Sequence, residues 1–271
     1  MNKIFLEKCE DTIQRLPESS VDLVLTSPPY FGCRVYGEET LGREEHPATF
    51  VDNIVEIMDS TKRILKDTGS LYLNMGDVYF GTKGFSRNAG KYKRKTDHHY
   101  KDHKITKPDK KWIQHKQLLM IPPRVAIALQ EQGWVLRNNI IWEKANPLPA
   151  FSKDRRLPCY EYVFHFVRNK KYYFDYPLAK ELSHHRDVIK TTVKPFGEHP
   201  ASFNEELISP LIETTCPIGG IVYDPFMGSG TTACIAKKLN RNFIGSEINA
   251  EYHKLSLNNL AQTPIEGTRE K

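Results

Sequence analysis

The sequence predicts an α/β fold built on a mostly parallel sheet. Three observations carry that prediction. Short apolar, β-branched segments such as Val21-Asp22-Leu23-Val24-Leu25-Thr26 and Ile221-Val222-Tyr223 read as strands buried on both faces. Each stops at a loop marked by proline or glycine: Ser27-Pro28-Pro29-Tyr30 after the first, Asp224 to Gly230 after the second. Segments with helical spacing of apolar residues lie between such strands, so strands and helices alternate.

Taken in order, the elements read as follows. Val21–Thr26 is the first strand. Phe50 to Leu65 carries apolar residues at 50, 51, 54, 55, 57, 58, 64 and 65, the stripe of an amphipathic helix. Asp67-Thr68-Gly69 is a turn, and Ser70 to Met75 a second strand. Pro122-Pro123 opens a helix over Arg124 to Gln132, which Gly133 stops. Trp134 to Trp142 is a strand, Asn146-Pro147-Leu148-Pro149 a loop, and Glu161 to Val167 another strand, with Lys171 to Tyr176 pairing beside it as a hairpin. Glu205 to Thr215 is helical. Ile221–Tyr223, the glycine-bearing loop, a helix over Thr231 to Leu239, a strand over Asn242 to Glu247 and a helix over Ala250 to Leu260 complete the chain.

The 271 residues suit one large domain or two small ones. No apolar run approaches the roughly 20 residues that span a bilayer, and the N-terminus lacks the apolar core of a signal peptide. Cys9, Cys33, Cys159, Cys216 and Cys234 form no CxxC pair. Neither a disulfide framework nor a cysteine zinc site is expected, and a reducing cytoplasm fits. The net charge of +6 is unevenly placed. Residues 81–116 hold twelve Lys or Arg against three acids, a net of +9, which leaves the rest of the chain at −3. Phe85, Tyr92, Tyr100 and Trp112 interleave with these charges, the pattern of an arm that contacts phosphates and grooves; a solvated charged loop is the plainer reading. His98, His99, His103 and His115 lack nearby cysteines and have few acids around them, so no metal site is expected.

Two loops carry chemistry. In Asp224-Pro225-Phe226-Met227-Gly228-Ser229-Gly230-Thr231-Thr232, glycines let a ligand approach the backbone, and the following helix offers free N–H groups. About 20 residues on, a strand ends in Glu247, placed to accept hydrogen bonds from ribose hydroxyls. A P-loop does not match, because no lysine follows Gly230. In Thr26-Ser27-Pro28-Pro29-Tyr30, the prolines remove donors, Ser27 adds a hydroxyl acceptor and Tyr30 an aromatic face. That composition suits a planar ring with an amino group, as in enzymes that flip a base out of a duplex.

These motifs, in this order, resemble the amino-group DNA methyltransferases that use S-adenosylmethionine, in their circularly permuted β subgroup. Gly69-Ser70-Leu71-Tyr72-Leu73, Gly133-Trp134-Val135-Leu136-Arg137, Ile140-Ile141-Trp142-Glu143-Lys144 with Asn146-Pro147, and His199-Pro200-Ala201-Ser202-Phe203 match as well. The resemblance runs from about Ile4 to Leu260 and implies one Rossmann-like methyltransferase domain over residues 1–271, with a seven-stranded, mostly parallel sheet. It implies that Asp224, Phe226, Gly228, Gly230, Thr231, Thr232 and Glu247 bind S-adenosylmethionine, completed by His199, Pro200 and Phe203. Ser27, Pro28, Pro29 and Tyr30 match the catalytic loop. Where the family often has Gly-Asp before an N-terminal Cys, this chain has Glu7-Lys8 before Cys9; an Asp contact to the cofactor's adenine is not expected from that position, and Glu10 or Asp11 would substitute.

The implied reaction is attack of an exocyclic amine on the sulfonium methyl. Ser27 and the Pro28 carbonyl would accept hydrogen bonds from the amine, and Tyr30 would stack on the base. Methylation at carbon 5 of cytosine would need a thiolate nucleophile, and Pro158-Cys159 leads into a core strand. In the family, Ser at the first motif position is more usual for N4-cytosine enzymes and Asp for N6-adenine enzymes. Ser27 therefore favours N4 of cytosine, with N6 of adenine as the alternative. A non-catalytic DNA-binding relative and an RNA or protein methyltransferase are the remaining readings. Double-stranded DNA is the expected partner. Lys91, Lys93, Arg94 and Lys95 of the basic insert, Arg155 and Arg156, and Arg186 of a short recognition region over 176–198 are its expected contacts. A homodimer and a companion restriction endonuclease stay open, in a cytoplasmic enzyme of bacterial, archaeal or phage origin.

Overall fold

The computed structural model describes residues 2–32, 41–80, 113–147, 149, 152–182, 185–192 and 204–264. Residues 81–112 of the basic insert 81–116, with Lys91, Lys93, Arg94 and Lys95, lie outside the described residues. So do His199, Pro200 and Phe203.

The described strands are β1 (Lys3–Leu6), β2 (Val21–Thr26), β3 (Leu65–Met75), β4 (Val135–Lys144), β5 (Tyr160–Val167), β6 (Val188–Thr191), β7 (Ile221–Asp224) and β8 (Asn242–Glu247). They form one sheet in the order β1-β8-β7-β2-β3-β5-β4-β6. Only β5 runs against its neighbours, β3 and β4; the other five pairings are parallel. The sheet is thus mostly parallel, as expected, with eight described strands where seven were expected. The short edge strand β6 escapes a sequence reading because its residues alternate between exposed and buried over only four positions.

The helices are α1 (Cys9–Arg15), α2 (Pro47–Ser60), α3 (Ile121–Glu131), α4 (Tyr176–Glu181), α5 (Glu205–Thr215), α6 (Thr231–Lys238) and α7 (Ala250–Gln262). Strand β2 shows why the core has two halves. Its side chains alternate across the sheet. Val24 joins Phe50, Ile54 and Met58 of α2 and Val125 and Leu129 of α3 on one face. Leu23 and Leu25 join Leu207, Leu211 and Ile212 of α5 and Ala233 and Ile235 of α6 on the other. Strand β2 is buried along its whole length, and four of its six residues, Val21, Leu23, Val24 and Leu25, are apolar.

Three local readings are corrected. The predicted hairpin strand at Lys171–Tyr176 is a loop leading into α4, where Asp175 accepts from Leu178 N and caps the helix. The partners of β5 are β3 and β4 instead, so both of its hydrogen-bonding edges are already occupied. The turn at Asp67-Thr68-Gly69 lies inside β3, which begins at Leu65; the register jumps from Val21↔Leu65 to Leu23↔Ser70 across it. A Cβ at Gly69 would fall 2.6 Å from the Leu65 side chain and 3.0 Å from Asp22 O, so glycine permits this bulge. The helix predicted from Phe50 starts earlier, at Pro47, behind a His46 cap.

Strand order reverses between β2 and β7. From β2 the chain passes through α2 to β3 on one side; from β7 it passes through α6 to β8 on the other. That reversal opens a crevice at the carboxyl ends of the strands, the usual ligand position in open α/β sheets. Both motif loops begin there.

Candidate active site

Strands β2 and β7 are neighbours, so their terminal residues meet. Thr26, the last residue of β2, donates to Asp224 Oδ1 at 2.6 Å. Asp224 ends β7. The same oxygen accepts from Phe226 N at 3.0 Å, and Oδ2 accepts from the Thr232 hydroxyl at 2.7 Å. Asp224 is buried, and burial lifts its carboxyl to about 6 against the lowering effect of these bonds. Sequence reasoning placed Asp224 and Thr232 in the ligand pocket. In the structure their side chains bind each other and Thr26. They join the Ser27 loop to the start of α6, so that the two loops keep a fixed separation.

Phe226 and Gly228 follow the carboxyl end of β7, and Glu247 ends the neighbouring β8. Gly228 has φ +56°, and a Cβ there would meet nothing nearer than Phe226 O at 3.9 Å, so the space beside it is open. Gly228 N donates to Glu247 Oε2 at 2.8 Å, and Asn249 N to Oε1 at 2.8 Å. Burial raises the Glu247 carboxyl above the usual range. Each of its oxygens keeps a second lone pair for a hydroxyl donor. Gly230, at φ +87°, caps α6, whose first N–H groups point back into the loop. Thr231 is buried beside Ser229, with their hydroxyls 3.4 Å apart. An open glycine surface, a buried carboxylate and a helix N-terminus have the chemistry that an S-adenosyl group needs: acceptors for hydroxyls and donors for a carboxylate. Beside Glu247, Leu6 of β1 pairs with it in register, and α1 follows with Glu10 and Asp11 in its exposed first turn.

The Ser27-Pro28-Pro29-Tyr30 loop leaves β2 next to this crevice. Pro28 is buried, while Ser27, Pro29 and Tyr30 are half-buried. The 41–42 turn backs the loop: Gly32 N donates to Gly42 O at 2.9 Å, and a Gly42 Cβ would lie 3.0 Å from Tyr30 O. The Tyr30 hydroxyl reaches Glu161 Oε2 at 2.6 Å, Asn74 Oδ1 at 3.5 Å and Ser27 Oγ at 3.4 Å. Lys144 Nζ donates to Glu161 Oε1. Under the ring, a Cβ at Gly76 would lie 2.8 Å from Tyr30 Cε2, so only glycine admits this approach.

Asn74, Gly76 and Glu161 were not singled out from the sequence, and Lys144 entered only as the last residue of the matching segment Ile140–Lys144. Asn74 did carry a signal: it is a polar residue within the apolar run Leu71-Tyr72-Leu73-Asn74-Met75, buried at 1% exposure. Glu161 carried none, because its position depends on the antiparallel pairing of β5 with β3.

Of the described basic candidates, Arg155 lies over the Tyr79 ring at 4.0 Å, with Nε and one Nη buried and without a hydrogen-bond partner. Arg156 and Arg186 are exposed. No helix among the described residues is long and apolar enough to cross a membrane.

A family model described as DNA methylase, covering the N6 and N4 enzymes, matches residues 21–258. The chain belongs to this DNA methylase family. It is accordingly a DNA methyltransferase of the amino-group type. Among curated relatives, the type II methyltransferase M.Cfr9I of Citrobacter freundii is 37% identical over 258 residues, covering 92% of this chain and 84% of its own. Among solved structures, the PvuII DNA methyltransferase (cytosine-N4-specific) superposes with a TM-score of 0.76 at 20% identity, covering 98% of this chain and 89% of the other. The M1.HpyAVI–SAM complex superposes with a TM-score of 0.57 at 22% identity, covering 96% and 100%. These structures share the fold.

Proposed function

We propose that this methyltransferase transfers a methyl group from S-adenosylmethionine to N4 of a cytosine flipped out of duplex DNA. One observation carries the reading: the Thr26–Asp224–Thr232 bonds hold a serine-bearing loop beside an open, glycine-lined crevice that ends in Glu247. A bound SAM in the M1.HpyAVI structure and the N4-cytosine label of the PvuII enzyme support it.

Glu247 holds the ribose, Gly228 and Phe226 line the adenosine path, and the α6 N-terminus with Thr231 takes the carboxylate. The cofactor supplies an electrophilic methyl on a sulfonium. Against it, Ser27 Oγ and the Pro28 carbonyl accept from the amine. A ring amine is a poor nucleophile because its lone pair is delocalised. Two acceptors favour a pyramidal nitrogen, aim its lone pair and offset the positive charge that develops there. Tyr30 supplies a ring face for the base. His199, Pro200 and Phe203 complete the cofactor site, and Lys91, Lys93, Arg94, Lys95, Arg155, Arg156 and Arg186 contact DNA. The type II name of M.Cfr9I supports a companion restriction endonuclease.

Transfer of labelled methyl to duplex DNA tests the reading. Ser27→Ala loses about 100-fold or more in transfer rate, the scale set by removing one preorganised polar contact. Its affinity for S-adenosylmethionine, measured by calorimetry, stays within about twofold because Ser27 is not a cofactor contact. An unchanged rate in Ser27→Ala contradicts the reading.

A further inference from the structure

A chain of hydrogen bonds runs from Ser27 into the protein. Tyr30 Oη lies 2.6 Å from Glu161 Oε2 and 3.4 Å from Ser27 Oγ. A phenol has one proton. It goes to the nearer, anionic acceptor, Glu161, rather than to Asn74 Oδ1 at 3.5 Å. The Tyr30 oxygen then faces Ser27 as an acceptor, so the Ser27 hydrogen points towards Tyr30. Glu161 Oε1 accepts from Lys144 Nζ, which also sits 5.0 Å from the centre of the Trp142 ring. Lys144 has only hydrogens to offer, and its side chain is 25% exposed against 12% for Glu161.

We propose that the Lys144–Glu161 pair is a positioning unit that fixes the direction of this chain, so that Ser27 meets the target amine with lone pairs and not with its hydrogen. The inference rests on Ser27 acting as the amine's acceptor. An exocyclic amine presents N–H donors to Ser27. A serine turned the other way would set donor against donor at the reacting nitrogen.

The test follows from the asymmetry of an amide. In Glu161→Gln, Lys144 claims the amide oxygen, and the NH2 group turns to Tyr30. The chain then reverses, and Ser27 points its hydrogen at the amine. Single-turnover methyl transfer is expected to fall about 10- to 100-fold, with DNA and S-adenosylmethionine affinities within about twofold. Removing the lysine frees the amide to rotate its oxygen back to Tyr30, so Lys144→Met with Glu161→Gln regains most of the lost rate. A merely structural role would give no such recovery. Tyr30→Phe keeps the ring and breaks the chain; it loses rate on its own, and Glu161→Gln then adds no further loss. A wild-type rate in Tyr30→Phe or in Glu161→Gln overturns the proposal, as does a double variant no faster than Glu161→Gln. Should Glu161→Gln fail to fold, the Tyr30→Phe rate alone decides. Ser27→Ala separates the two levels: if it keeps full activity, the reading of Ser27 fails, whereas if it loses activity and Tyr30→Phe does not, only the chain fails.

Discussion

Asp224 shows how one residue ties a fold to a site. The family resemblance implied that it lines the S-adenosylmethionine pocket. Its three partners, Thr26, Phe226 N and Thr232, make it the joint between the two motif loops. Thr26 is 198 positions away in sequence, so that joint cannot be read without knowing that β2 and β7 are neighbours. The joint has a pH signature. Burial raises the Asp224 carboxyl from 3.8 to about 6 in the folded protein. A group with a raised folded value contributes its stability at low pH and loses it as pH rises through that value. Wild-type stability relative to Asp224→Asn therefore falls between about pH 4 and pH 7, by at most about 3 kcal/mol, the equivalent of two pKa units. Melting temperatures of both proteins across that range check it; a difference that does not move with pH contradicts it. His165 does not confuse the comparison. Burial lowers its imidazole to about 3, giving an opposite pH trend that both proteins share.

At the scale of elements, the legible part was the set of strands with one kind of environment. Strand β2 is buried throughout and reads directly from its composition. Strands β1 and β6 have four residues each with mixed exposure, too short for a period to show. Helix α4 has six residues and begins at Tyr176. The loop from β7 to α6 was legible because glycine is needed there for a physical reason. Gly230 sits at φ +87°, and a Cβ would lie 2.8 Å from Ser256 Cβ and 3.0 Å from Ser256 Cα on α7. Gly230→Ala is expected to cost about 1–3 kcal/mol, the usual penalty for a strained left-handed residue. It also tilts the α6 N-terminus away from α7, so affinity for S-adenosylmethionine falls together with stability. Urea unfolding and calorimetric titration measure the two effects. Wild-type values for both would show that α6 and α7 tolerate a side chain here.

For the whole molecule, the sheet divides the labour. The β2/β7 reversal creates the crevice, and the antiparallel strand β5 delivers Glu161 to the far side of Tyr30. Charge divides it too: a body of net −3 carries the two motif loops, and residues 81–116 carry +9. If that segment supplies DNA affinity, replacing Lys93, Arg94 and Lys95 with Ala weakens DNA binding and lowers the slope of log affinity against log salt by about 2–3, with cofactor binding intact. Filter binding at several salt concentrations reads that slope; an unchanged slope removes these three residues from the interface. The amine that Ser27 receives decides between cytosine and adenine as the target. Duplex DNA methylated by the protein with S-adenosylmethionine, digested to nucleosides and separated by mass spectrometry, identifies it. The expected product is N4-methylcytosine; N6-methyladenine without N4-methylcytosine would contradict cytosine N4 as the target.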